Sequence, residues 1–237
     1  MTYVGLRWHG VGAMAPSNPL EPFLLQGRIE RLKQAVARRT RSLTVVLDGT
    51  HDPHNLSAVV RSCEGFGLLD LWVVETHARF RTNSRVAQGA EKWLDIHRHD
   101  DPSVCARELL GQGFELWLAD AESVGTDVAE LPWEKKVALV FGNEHEGVSL
   151  QMEQAAAGRF CIPMQGFSQS LNVSVAAGIS LAIGIRERQR RLGRVGDLTA
   201  DEQAELFAEW ERRSVKYADK ILAHLESKQE ENRDTAN

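Results

Sequence analysis

The chain has 237 residues, of which 43% are hydrophobic and 26% charged, and a formal net charge of −5. These proportions are ordinary for a globular α/β protein and exclude a compositionally disordered chain. No apolar run is long enough for a membrane span, and the first residues lack the basic-then-apolar order of a secretory signal. Cys63, Cys105 and Cys161 are far apart and odd in number. They offer no disulfide framework and read as small core residues of a cytoplasmic protein.

In chain order, residues 1–19 read as an irregular arm. Residues 20–42 form a basic N-terminal helix, with Leu24, Leu25, Ile29, Leu32 and Val36 at helical spacing from Phe23 to Arg39. Leu43–Leu47 is a continuous apolar run suited to a buried parallel strand. A helix from Asn55 to Phe66 follows, stopped by Gly65 and Gly67. Strands are expected at Leu71–Val74, Trp93–Ile96, Phe114–Ala119, Lys136–Phe141 and Arg159–Ile162. The intervening helices are Val104–Leu110 and Leu150–Ala157. A long helix from Leu171 to Arg191 is rich in small residues and closes a domain over 43–192. Beyond Gly193 and Gly196, residues 193–226 form a helical extension, with helical pattern from Ala200 to Leu225. The polar end, 227–237, reads as a disordered tail. Alternating strands and helices predict a parallel sheet covered by helices on both faces.

The acidic total conceals three basic clusters. One contains Arg28, Arg31, Lys33, Arg38, Arg39 and Arg41 against Glu30. The loop from Arg79 through Arg81 to Arg85 carries three arginines and no acid. Arg186, Arg188, Arg190, Arg191 and Arg194 surround Glu187. Such clusters fit either solvated helix faces or phosphate contacts. His51, His54, His97, His99 and His145 match no zinc spacing, so no metal is expected.

Three segments carry the chemistry, each where a strand gives way to a loop or helix. They are Pro53-His54-Asn55-Leu56-Ser57-Ala58-Val59-Val60-Arg61, Phe141-Gly142-Asn143-Glu144-His145-Glu146-Gly147 and Gln169-Ser170-Leu171-Asn172-Val173-Ser174. That location is the usual binding edge of an open α/β sheet. After Leu47, the turn Asp48-Gly49-Thr50-His51-Asp52-Pro53 lacks a glycine-rich dinucleotide fingerprint, which puts any nucleoside site in the C-terminal half. Ser170 and Asn172 are suitable helix-entry residues. Asn55 and Arg61 can meet at one site only if Asn55 stands at a helix entry rather than within the helix.

In this order the three segments resemble the motifs of SPOUT-class RNA ribose 2′-O-methyltransferases, most of all the tRNA guanosine-18 2′-O-methyltransferase family. The resemblance covers about Leu43 to Arg191. It implies a C-terminal trefoil knot, a homodimer with its active site across a two-fold axis, S-adenosylmethionine as cofactor and tRNA as substrate. It puts the cofactor against Ala119, Gly142, Asn143, Glu144, Ile162, Met164, Ser170, Leu171 and Asn172. The catalytic group it implies is Arg61 with Asn55, Glu144, Ser170 and Asn172. RNA contacts would come from Arg28, Arg31, Arg38, Arg39, Arg41, His54, Arg186, Arg188 and Arg190. Ala176, Ala177, Gly178 and Ser180 would allow close approach of the two subunits. Two departures stand out: His145-Glu146 follows the motif glutamate where the family commonly has a basic residue, and Gly166-Phe167-Ser168 replaces the usual Met-Val pair. Ribosomal RNA is the alternative substrate, and a non-catalytic RNA-binding module the alternative of another class.

Overall fold

The computed structural model describes residues 19–50, 52–75, 80–120, 125–143 and 146–234. The arm at 1–18, His51, Arg79, Glu144 and His145 lie outside these residues. The chain divides into two compact units, one formed by 34–203 and the other by the segments before and after it.

The larger unit contains seven strands: β1 (Leu43–Asp48), β2 (Asp70–Val74), β3 (Asp95–His99), β4 (Glu115–Ala119), β5 (Thr126–Asp127), β6 (Val137–Phe141) and β7 (Gly158–Cys161). They form one sheet in the order β3-β2-β1-β6-β4-β7-β5, with every pairing parallel. The two-residue strand β5 has no periodicity to betray it and is absent from the sequence reading. β3 begins two residues later than expected, because Ala90–Trp93 forms a 3-10 turn, and it continues to His99.

Side chains alternate across the sheet with a period of two. Val45, Leu47, Leu71, Val73, Leu139 and Phe141 enter one core, beneath helices α2 (Pro53–Gly65) and α6 (Val173–Leu192). Val46, Trp72, Val74, Ala138 and Val140 enter a second core with Cys105, Leu109 and Met152, on the side of α4 (Pro102–Gly111) and α5 (Leu150–Ala155). A short helix α3 (Ser84–Ala87) rests beside α2. All three cysteines are free and buried, and burial pushes the Cys105 thiol up to about 12.

The small face of α6 has a different use from the one expected. Ala177 and Ser180 are fully buried within the chain, and Gly178 lies near the Ser62 hydroxyl of α2. A methyl added at Gly184 would stand 2.6 Å from the Trp133 ring. Ala177 and Ser180 are thus used within the chain and are not available to a second subunit, whereas Ala176 and Gly178 remain half-buried.

Helix α1 (Gln26–Val36) buries Ile29, Leu32 and Val36 but leaves Leu25 exposed. The expected C-terminal helix is two helices, α7 (Ala200–Ser214) and α8 (Ala218–Asp234), separated at Tyr217, which has a φ of 62°. α7 has ended at Ser214, and the left-handed backbone at Tyr217, just before α8, keeps the two helices from being continuous. The predicted disordered tail is also corrected: the helix runs through Ser227 to Asp234.

Candidate active site

Parallel pairing brings the C-terminal ends of β4, β6 and β7 to one edge of the sheet. Beyond that edge lies a cavity of about 870 Å³, within the size range of small-molecule sites. Its wall includes Ala119, Gly142, Asn143, Ile162, Met164, Ser170 and Leu171, all expected from the sequence, together with Phe141, Val173 and Ala176. Asp120, Glu146, Glu153 and Arg159 also line it, and these the sequence reading missed. Arg159 is the one charge in β7 and bonds Glu153 at 2.6 Å and Asp120 at 3.4 Å. A charged residue in an otherwise apolar strand end was the available signal.

The loop after β6 is held by backbone. Asn143 and Gly147 exchange N–H···O bonds of 2.8 and 2.9 Å. A Cβ on Gly142 would lie 2.3 Å from the Gly147 carbonyl group, so only glycine permits this closure. Asn143 is buried, donates its amide to the Gly49 carbonyl at 3.1 Å and accepts the Glu146 N–H at 3.2 Å. Buried Asp48, at the end of β1, accepts the Ser149 N–H at 2.7 Å. The end of β1 thus fixes the cavity's loop although it does not line the cavity.

Asn172, expected at the cofactor, does not line the cavity but stands between its lining residues Leu171 and Val173 and reaches the first motif. It is the N-cap of α6: its side-chain oxygen accepts the Ser174 N–H at 2.9 Å and the Ser174 hydroxyl at 2.6 Å. Its amide nitrogen donates to Asn55 Oδ1 at 3.0 Å. Ser170 precedes the helix and lines the cavity without capping. Asp52, rather than Asn55, caps α2, by accepting the His54 N–H at 2.9 Å. Asn55 therefore lies within the first helical turn, three residues inside the Asp52 cap, so the helix-entry position expected for it is not the one it occupies. Arg61 is exposed on α2, and its Nη1 donates to the Val86 carbonyl at 3.3 Å.

The expected RNA contacts fall into two groups. Arg31, Arg38, Arg186 and His54 are exposed, and Arg28 is half-buried with a 3.4 Å bond to the Ser214 hydroxyl. Arg190 is exposed but paired with Glu187 at 2.7 Å. Arg41 Nη1 donates to both carboxylate oxygens of Asp70 at 3.0 Å, and its Nη2 donates to Asp95 at 3.2 Å. Arg39 and Arg188 are corrections, because both are buried. Arg39 holds the Glu64 and Leu68 carbonyls and the Glu64 carboxylate, at 2.7–3.0 Å. Arg188 donates to the Trp133 and Lys135 carbonyls at 2.7 Å and to Asp197 at 3.2 Å. Burial lowers both guanidinium pKa values, and Glu64 and Asp197 respectively oppose that shift. Neither cation is presented to solvent.

Among the described residues no group of three His, Cys, Asp or Glu is placed to hold a metal ion, and no helix is long and apolar enough to cross a membrane.

A family model described as the SpoU rRNA Methylase family matches residues 42–182. The tRNA (guanosine(18)-2′-O)-methyltransferase of Aquifex aeolicus is 36% identical over 176 residues, spanning 73% of this chain and 82% of that protein. Two solved structures are similar. One is the A. aeolicus TrmH/SpoU tRNA modifying enzyme, with a TM-score of 0.71 and 32% identity, covering 81% of this chain and 98% of that one. The other is the SpoU methyltransferase AviRb of Streptomyces viridochromogenes in complex with AdoMet, with a TM-score of 0.55 and 27% identity, covering 68% of this chain and 65% of that one.

Proposed function

The chain belongs to the SpoU rRNA methylase family, and on that footing we propose that it methylates the ribose 2′-hydroxyl of guanosine 18 in tRNA, using S-adenosylmethionine. The observation that carries this reading is the Asn172–Asn55 bond. It ties the residue between the cavity-lining Leu171 and Val173 to the helix that bears Arg61, so cofactor and substrate groups share one frame.

The cavity suits the cofactor. Ala119, Phe141, Ile162, Met164 and Leu171 offer an apolar slot at strand ends whose backbone groups can bond an adenine. Asp120, Glu146 and Glu153 outnumber Arg159 in the wall, which favours a sulfonium cation. When bound, S-adenosylmethionine supplies a methyl group activated by that sulfonium. Asn172 and Ser170 orient the ligands at the mouth. Arg61 grips the phosphate beside the target ribose through its planar fork and so fixes the 2′-oxygen for in-line attack. A guanidinium is a poor base, so the 2′-hydroxyl proton leaves to the phosphate or to water.

The chain after β7 is threaded as a trefoil knot in this reading. Support comes from Gly142, Asn143, Gly147 and Val148 sharing the wall of one cavity with Ile162, Ser170, Leu171 and the end of β4. The protein works as a homodimer in the cytoplasm, where its tRNA substrate is found. Its subunit contact uses the open side of the site, where Phe167 is fully exposed and Val175 half-exposed. A monomer by light scattering at micromolar concentration would remove the dimer.

Methyl transfer to a tRNA transcript, with the modified nucleotide mapped, tests the function. Transfer should vanish when nucleotide 18 carries a 2′-deoxyribose. Transfer to ribosomal RNA alone would overturn the tRNA assignment.

A further inference from the structure

Beyond the site itself, the basic segment formed by α3 and the residues just ahead of it has no role in the function described so far. Arg81 and Arg85 are exposed and have no acidic partner among the described residues. This segment is not loosely attached. The Ser57 hydroxyl, buried on α2, donates to the Pro53 carbonyl at 2.6 Å and accepts the Asn83 N–H at 2.6 Å. Asn83 then caps α3 by accepting the Arg85 N–H at 3.0 Å. One helical turn along α2, Arg61 donates to the Val86 carbonyl. Two bonds therefore clamp the segment to the face of α2 that carries the proposed phosphate-gripping arginine.

We propose that Arg81 and Arg85 form a phosphate-binding arm for the RNA substrate, held next to Arg61 by the Ser57–Asn83 and Arg61–Val86 bonds. The inference rests on the reading of an RNA substrate. The occupant follows from charge complementarity: free guanidiniums on a backbone fastened at Asn83 and Val86, with Arg85 between these points and Arg81 two residues before them, match the regularly spaced phosphates of a folded RNA strand. Ordering before binding spares the entropy that a flexible basic segment would lose on contact.

The test is tRNA binding across a salt series, by fluorescence anisotropy, for Arg81→Ala, Arg85→Ala and Arg107→Ala. Arg107 is exposed on α4, which packs on the opposite face of the sheet, so it controls for charge alone. Each arm variant should weaken binding and lower the log-affinity against log-salt slope by about 0.7–0.9, the share of one phosphate contact. Arg107→Ala should leave the slope unchanged, and Arg81→Lys should restore most of it. Calorimetric titration with S-adenosylmethionine should give wild-type affinity for every variant, which also shows that each is folded. If wild-type protein binds and methylates tRNA while the arm variants match Arg107→Ala, the arm is overturned and the functional reading stands. If the wild-type protein neither binds nor methylates tRNA, both fall.

Discussion

Arg188→Ala separates a structural arginine from an RNA-binding one. Truncation removes donors from the Trp133 and Lys135 carbonyls and the cationic partner of Asp197. Asp197 keeps the Thr40 hydroxyl at 2.5 Å and the Arg41 N–H at 3.0 Å, so it is not wholly abandoned. Two stranded acceptors cost about 1–3 kcal/mol each. A total of about 3–5 kcal/mol is the range for breaking a buried pair from one side. With a urea slope of about 3 kcal/mol/M, the unfolding midpoint should fall by about 1–2 M. Measured below that transition, the folded variant should bind tRNA with the wild-type salt slope. Wild-type stability combined with a flatter salt slope would refute the structural reading and return Arg188 to the RNA surface.

Arg61→Ala should keep S-adenosylmethionine affinity and lose about a hundred- to thousand-fold in single-turnover methyl transfer, while Arg61→Lys recovers little without the planar fork; near-normal transfer would remove Arg61 from the mechanism. Asn172→Asp retains the oxygen that caps α6 but loses the donor to Asn55, so it should unfold like wild type while transfer falls, whereas Asn172→Ala also forfeits the cap, about 0.5–2 kcal/mol. Equal stability of these two variants would contradict the capping geometry. The bond from Asp70 raises the His97 pKa, with Asp95 and Glu108 adding to it against the opposing effect of burial. A raised histidine pKa stabilises the fold below the ordinary histidine value, and the benefit is lost as pH rises through the folded value. Thermal melts from pH 6 upward should therefore fall less for His97→Gln than for wild type, and parallel curves would exclude the coupling.

The central strands were legible because Leu43–Leu47 and Val137–Phe141 are apolar on both faces, as strands between two helical layers must be. The cavity wall was legible because Gly142 stands at a strand end and Ser170-Leu171 just before a helix. Charge function was less so. Arg39 and Arg188 look like Arg38 and Arg186 in the sequence, one residue or half a helical turn away. Only burial and the carbonyls they meet tell them apart. The small residues of α6 were equally ambiguous, since close approach to a second subunit and to Trp133 demand the same absence of side chain. Asp120 and Glu153 join the cavity wall beside Arg159 of β7, a proximity between separate elements that no local pattern records.

The strand order also governs how the protein is made. β6 lies between β1 and β4 in the sheet but is synthesised after both. Once Ala119 has left the ribosome, β1 and β4 each present an unpaired edge, and neither can close on the other without the strand that separates them. Such edges invite association with other nascent chains. The sheet therefore completes late, when Val137–Phe141 is inserted at its centre and only then gives β4 a neighbour. Chains truncated before Val137 are expected to aggregate, whereas chains that extend through Phe141 can close the middle of the sheet.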